Sequence, residues 1–132
     1  MIEGSRLVQN IDARGFIELD HLTPSGIRDE GLICPLISES VNAAKEFTVS
    51  WGRMLPGQHH VKHHHASVAE FYVIVKGSPI IHLGDADLRA RPGDAIYIPP
   101  NTLHGISNDT GDIIDFVAGV NSVGTWDFIP DE

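Results

Sequence analysis

The sequence predicts an all-β domain, a small barrel or sandwich with little helix, and three observations carry that reading. Short runs rich in Val, Ile, Phe and Tyr follow one another through the chain from residue 46 onward. Gly, Pro, Asn and Asp punctuate them at intervals that leave room for strands but not for helices between. Hydrophobic residues make up 42% and charged residues 20% of the chain, a balance that lets such strands bury a core. Many short strands at regular spacing close on themselves or stack in two sheets.

Taken in order, residues 1–45 read as an arm that packs on the barrel or on a partner subunit, and residues 46–132 as the barrel itself. The stretch "SESVNAAKEF", residues 38–47, is the only one with helical character, and Ser38 or Ser40 can cap a turn or two there. The strand candidates then run "EFTVSWGRML", "EFYVIVKG", "PIIHL", "DLRAR", "DAIYIPP", "LHGISN" and "DIIDFVAGV". Between them stand Pro56-Gly57, Lys76-Gly77, Gly84-Asp85, Pro92-Gly93, Pro99-Pro100-Asn101 and Asn108-Asp109, all turn-forming pairs or triplets. There is no internal repeat and no low-complexity tract.

The 132 residues suit one domain. A formal net charge of −9 argues against a surface that tracks nucleic-acid phosphates. Cys34 is the one cysteine, so no internal disulfide forms and nothing calls for an oxidising compartment. No run approaches the ~18 apolar residues that a membrane-spanning helix needs, and the first residues lack a signal-like apolar stretch. A cytoplasmic protein without membrane or nucleic-acid partners is expected.

Five of the eight histidines fall at positions 59, 60, 63, 64 and 65. Clustered imidazoles repel once protonated, so a local demand for several neutral ones points to a metal ion. In a strand, His63 and His65 share one face and His64 takes the other. Glu70, where the chain re-enters a strand, can meet the first pair. His104, beyond the turn at residues 99–101, can add a third imidazole. Three nitrogens and one oxygen suit Fe(II), Mn(II), Ni(II), Co(II) or Zn(II) alike.

These residues also carry a family resemblance. Gly57, His63, His65, Glu70 and Gly77 match the first cupin motif, G-x5-H-x-H-x4-E-x6-G. Gly93, Pro99, His104 and Asn108 match the second, G-x5-P-x-G-x2-H-x3-N. Asn101 stands where that motif has glycine, a change the turn can absorb because Asn tolerates left-handed backbone. The chain thus resembles a small single-domain cupin. The resemblance implies a jelly-roll β-barrel holding one divalent transition metal per chain on His63, His65, Glu70 and His104. It favours Fe(II) and, from the frequency of such enzymes in the family, a dioxygenase acting on a small organic molecule. Lyase, isomerase or decarboxylase chemistry is the alternative, and a non-catalytic ligand-binding cupin the second alternative. Small cupins often pair, and the arm is long for a mere connection, so a homodimer is expected.

Two further residues are candidates for a catalytic role. Tyr72 lies two positions beyond Glu70 on the same strand face, where its phenol could bind substrate or move a proton. A metal ion beside it would lower its pKa. Arg53 could hold a substrate carboxylate if its strand lines the cavity, with a surface ion pair as the alternative. His59, His60 and His64 read as rim or outward-facing residues, His21 and His82 as surface residues, Phe116 as core lining, and Asp127 and Glu132 as solvated charge.

Overall fold

The computed structural model describes residues 4–19 and 29–131 of the chain. His21 and Glu132 lie outside the described residues. Among the described residues, eleven strands form two sheets. β1 (Ile17–Glu18), β2 (Leu32–Ile37), β3 (Thr48–Met54), β10 (Ile114–Val120), β5 (Glu70–Lys76) and β8 (Ala95–Ile98) make the larger sheet, with neighbours in the order β1-β2-β3-β10-β5-β8. The smaller runs β11-β4-β9-β6-β7, built from β4 (His63–His64), β6 (Ile80–Leu83), β7 (Ala86–Arg89), β9 (His104–Ser107) and β11 (Ile129–Pro130). Every pairing is antiparallel. The jelly-roll expectation holds, and all seven runs read as strands form strands.

Alternation places the core between the sheets. On β5, Tyr72 and Ile74 are buried while Phe71 and Val75 are exposed. Met54, Ile74, Ile81, Ile98, Ile106, Ile114 and Phe116 meet there, drawn from both sheets. One backbone position is set by that packing. Phe116 pairs with Gly52 across β10 and β3. A Cβ at Gly52 would stand 2.4 Å from the Phe116 ring, so only glycine lets the ring lie against β3.

The boundary expected at residue 45 does not coincide with an edge of the sheet. β2, within the stretch read as an arm, pairs with β3 from Leu32 opposite Arg53 to Ile37 opposite Val49. The register shifts between Pro35 and Ile37, where proline has no N–H to give the ladder. The expected helix is a single turn, α3 (Glu39–Asn42), and Ser38 rather than Ser40 caps it, accepting from the Val41 N–H at 3.1 Å. Two more single turns precede it, α1 (Gly4–Leu7) and α2 (Ile11–Arg14), the second capped by Asn10. Arg6 ties α1 to α3 by donating to the Val41 carbonyl.

The turns of both motifs keep their geometry. Gly57, Gly77 and Gly93 all have positive φ, and Asn101 adopts φ 64°, the left-handed conformation expected of it. Its N–H donates to the His65 carbonyl at 2.7 Å, so the turn that leads to His104 also holds the loop carrying His65. Asn108, buried, donates to the carbonyls of Met54 and Asp112 and accepts from the Thr110 N–H and hydroxyl. It fastens the turn after β9 to the end of β3.

Candidate metal centre

Three strands, two of them neighbours in the smaller sheet and one from the larger, and one loop deliver four side chains to one point. His63 on β4 faces His104 on β9 in direct register. His65 follows in the loop after β4, and Glu70 opens β5 in the opposite sheet. The ligand atoms of His63, His65, Glu70 and His104 all lie within 4.8 Å of one another. The structure therefore brings the four expected residues together. His64 is not among them; it pairs with Ile129 on the other side of the pleat.

Hydrogen bonds fix how the imidazoles present themselves. His63 Nδ1 stands 2.7 Å from the Val61 carbonyl, His65 Nδ1 2.6 Å from that of Asp127, and His104 Nδ1 2.9 Å from that of Thr102. A carbonyl only accepts, so each Nδ1 carries the proton and each Nε2 is left with a lone pair aimed inward. His104 Nε2 and His65 Nε2 lie 2.9 Å and 3.2 Å from the same oxygen of Glu70. Lone pairs this close require a shared cation, either a proton or a metal. Two donors bound at about 2.1 Å and at right angles stand about 3.0 Å apart, so the spacing fits a metal. The donor set of three imidazoles and one carboxylate fits a divalent transition ion.

Electrostatics point the same way. Burial, reinforced by the neighbouring His104, lowers the His63 pKa to about 4, so this imidazole is neutral and ready to ligate at neutral pH. Burial pushes the Glu70 carboxyl up, but hydrogen bonds with His104 and His65 outweigh it and hold the group at about 2. His65 shows the reverse balance: burial lowers its pKa, and Glu70 and Asp127 together raise it above the ordinary value.

A cavity of about 380 Å³ opens beside the cluster, within the usual range for a small-molecule site. Tyr72 lines it, 3% exposed, with its ring edge-on to His104 and to Phe116. Burial raises its phenol pKa well above the ordinary value, and the charges of Glu70 and Asp29 add to this. The protein alone thus acts on Tyr72 in the sense opposite to that expected of a metal ion, and keeps the hydroxyl protonated. Phe116 lines the cavity as well as the core.

Arg53 lies elsewhere. On β3, Thr48, Ser50 and Gly52 line the cavity, and Arg53 takes the other face. Its guanidinium is bidentate on Asp115, at 2.7 Å and 3.0 Å, and sits over the Phe16 ring. The ion pair, the alternative named for it, is the contact the structure shows.

Three other residues depart from their sequence reading, and a fourth had none. His60, expected at the rim, lines the cavity with its ring 6.0 Å from Phe116. Asp29, not singled out at all, is buried on the same wall and accepts from the Val61 N–H at 2.6 Å. Asp127, read as solvated charge, clamps the loop that carries His65. Its carboxylate accepts from the Ala66 and Ser67 N–H groups and from the Ser67 hydroxyl, and its carbonyl orients His65. His82, read as a surface residue, is mostly covered between Asp87, at 2.6 Å, and Ser107, at 2.8 Å. His59 keeps its expected exposure and pairs with Glu30.

A two-sheet jelly roll with a His-His-Glu-His cluster in its mouth defines a cupin-type barrel. Residues 50–118, just over half of the chain, match the cupin domain family, and the chain belongs to it. An uncharacterised protein of Methanocaldococcus jannaschii is 28% identical over 91 residues, 69% of this chain and 73% of that one. Among solved structures, a sugar phosphate isomerase of the cupin superfamily from Silicibacter pomeroyi superposes with a TM-score of 0.75 at 18% identity, covering 86% of this chain and 74% of its own. A predicted oxalate decarboxylase from Thermotoga maritima gives a TM-score of 0.74 at 20% identity, covering 88% and 98%. At these identities the likeness is one of fold. No helix among the described residues is long and apolar enough to cross a membrane.

Proposed function

We propose that this protein is a metal-dependent enzyme that moves a proton on a small organic molecule, in the manner of a lyase, isomerase or decarboxylase. The observation that carries the reading is the single cavity that sets Tyr72, His60 and Asp29 beside the His63–His65–Glu70–His104 cluster. A divalent ion on those four ligands would supply Lewis acidity towards a substrate oxygen. The Tyr72 hydroxyl, protonated and buried, is suited to donate a hydrogen bond or a proton to that oxygen. His60 offers an imidazole on the same cavity wall, where it can accept a proton from carbon or oxygen.

The test is solvent-deuterium exchange into a panel of hydroxy-ketones and keto acids by the metal-loaded protein, with oxygen consumption followed in parallel. Exchange or turnover without oxygen uptake is expected. Turnover that consumes oxygen in step with substrate would contradict the proposal and assign a dioxygenase, as family frequency suggested. In the Tyr72→Phe variant, fold and metal content should be retained while turnover falls about 10²-fold or more. Full activity at matched metal content would confine Tyr72 to packing.

A further inference from the structure

The outer face of the smaller sheet carries a second group of reactive side chains, on the side of β9 opposite His104. On β6, Ile81 is buried in the core, so its neighbour His82 turns outward. On β9, Ile106 is buried in the same way and Ser107 turns outward. On β7, Asp87 stands directly opposite His82. His82 Nδ1 lies 2.6 Å from Asp87 Oδ1, and His82 Nε2 lies 2.8 Å from Ser107 Oγ. Three neighbouring strands, β9, β6 and β7, thus line up a serine, a histidine and an aspartate. The residue opposite His82 on β9 is Gly105. A Cβ there would stand 3.5 Å from the imidazole, so the ring lies close over the β9 backbone and reaches Ser107 two residues on. The carboxylate fixes which nitrogen carries the proton. Its hydrogen bond with His82 holds Asp87 below the ordinary carboxylate range. A carboxylate only accepts, so Nδ1 donates to it and, in the neutral ring, Nε2 keeps its lone pair for the Ser107 hydroxyl. The His82 side chain is 17% exposed and that of Asp87 62%, so the ring is held while the face stays open to solvent.

We propose that Ser107 is a nucleophile, with His82 as its base and Asp87 as the positioning residue, and that this face takes the acyl group of small activated esters. A hydroxyl bonded to a base that a third group orients is the arrangement that activates a serine. In the first step Ser107 Oγ bonds to the ester carbonyl carbon and the bond to the leaving oxygen breaks. The proton passes from Oγ to His82 Nε2 and on to the departing oxygen. Water then attacks the acyl-serine, giving its proton to the same imidazole, and the carboxylic acid leaves as the hydroxyl is restored. The centre lies outside the metal-lined cavity and stands independently of the metal-dependent reading.

Diisopropyl fluorophosphate tests the nucleophile, because a serine that displaces its fluoride keeps a stable mass label. Peptide mass spectrometry should find Ser107 labelled at least about 10²-fold faster than any other serine of the same chain, a comparison that needs no variant. In His82→Gln, which keeps a polar side chain but removes the base, labelling of Ser107 should slow by about 10²-fold. Labelling of Ser107 no faster than that of the other serines overturns the proposal, as does an unchanged rate in folded His82→Gln. For acyl transfer, release of p-nitrophenolate from p-nitrophenyl acetate should be at least about tenfold slower in Ser107→Ala. Equal release overturns the assignment to esters. The positioning role of Asp87 is read by nitrogen-15 NMR of the His82 ring at about pH 8, above the ordinary imidazole range. The proton should sit on Nδ1 in the wild type and move to Nε2 in Asp87→Asn, whose amide donates to Nδ1. A ring whose proton does not move on that substitution overturns the role.

Discussion

At the scale of the residue, the ligand set was readable because its information is local. His63, His65 and Glu70 lie within eight positions, and strand parity alone places the two imidazoles together and His64 apart. The supports of those ligands were not readable. Asp127 reaches Ala66 and Ser67 across about sixty residues, and a single acid in a polar tail gives no periodic signal. Hydrogen bonds from the Ser67 hydroxyl and the Ala66 N–H lower its carboxyl pKa to about 2, so the clamp is ionised at neutral pH. An Asp127→Ala substitution removes the clamp while leaving all four ligands. Metal affinity should then fall about tenfold or more, measured by competition with a chromogenic chelator. Unchanged affinity would show that β4 and β11 hold the loop without it.

At the scale of the element, the strands bounded by turn signals were legible and the others were not. β5 announces itself by period and β10 by its apolar run, both with flanking turns. β2 did not, because Pro35 within "LICPLI" argues against a paired strand; the ladder accommodates it with a shift of register. β4 and β11 are two residues each, too short for any pattern to mark. The centre of the larger sheet depends on β3 and β10 approaching closely at Gly52 and Phe116. In a Gly52→Ala variant the added methyl meets the ring, which also has Tyr72 packed edge-on against it. Destabilisation of about 1–3 kcal/mol is expected in denaturant titration. A neutral result would mean that the ring shifts freely and that the Tyr72 side of the cavity is not held in place by it.

At the scale of the molecule, fold and site are coupled through pH. With metal removed, His63 has a pKa of about 4 folded against an ordinary 6.5. Between those values the unfolded chain takes up a proton that the folded one refuses, so stability falls as pH drops from 6.5 to 4, by about 3 kcal/mol from this group. Glu70, lowered to about 2, extends the loss below pH 4.5. His65 is raised, so its contribution is fully present below pH 6.5 and is lost only as pH rises through its folded pKa; it does not offset the acid loss. The melting temperature of chelator-treated protein should therefore decline between pH 6.5 and 4, and a flat profile there would contradict the buried, neutral state of His63.

The central claim is that four side chains, three from the two sheets and one from the loop after β4, form one metal site, and metal content after single substitutions tests it most directly. Elemental analysis of wild type, His104→Ala and His64→Ala, purified and reloaded identically, should give near-wild-type metal for His64→Ala. His104→Ala should lose most of its metal, because His104 sits in the cluster and His64 on the opposite side of the strand. Equal loss in the two variants, or equal retention, would contradict the account.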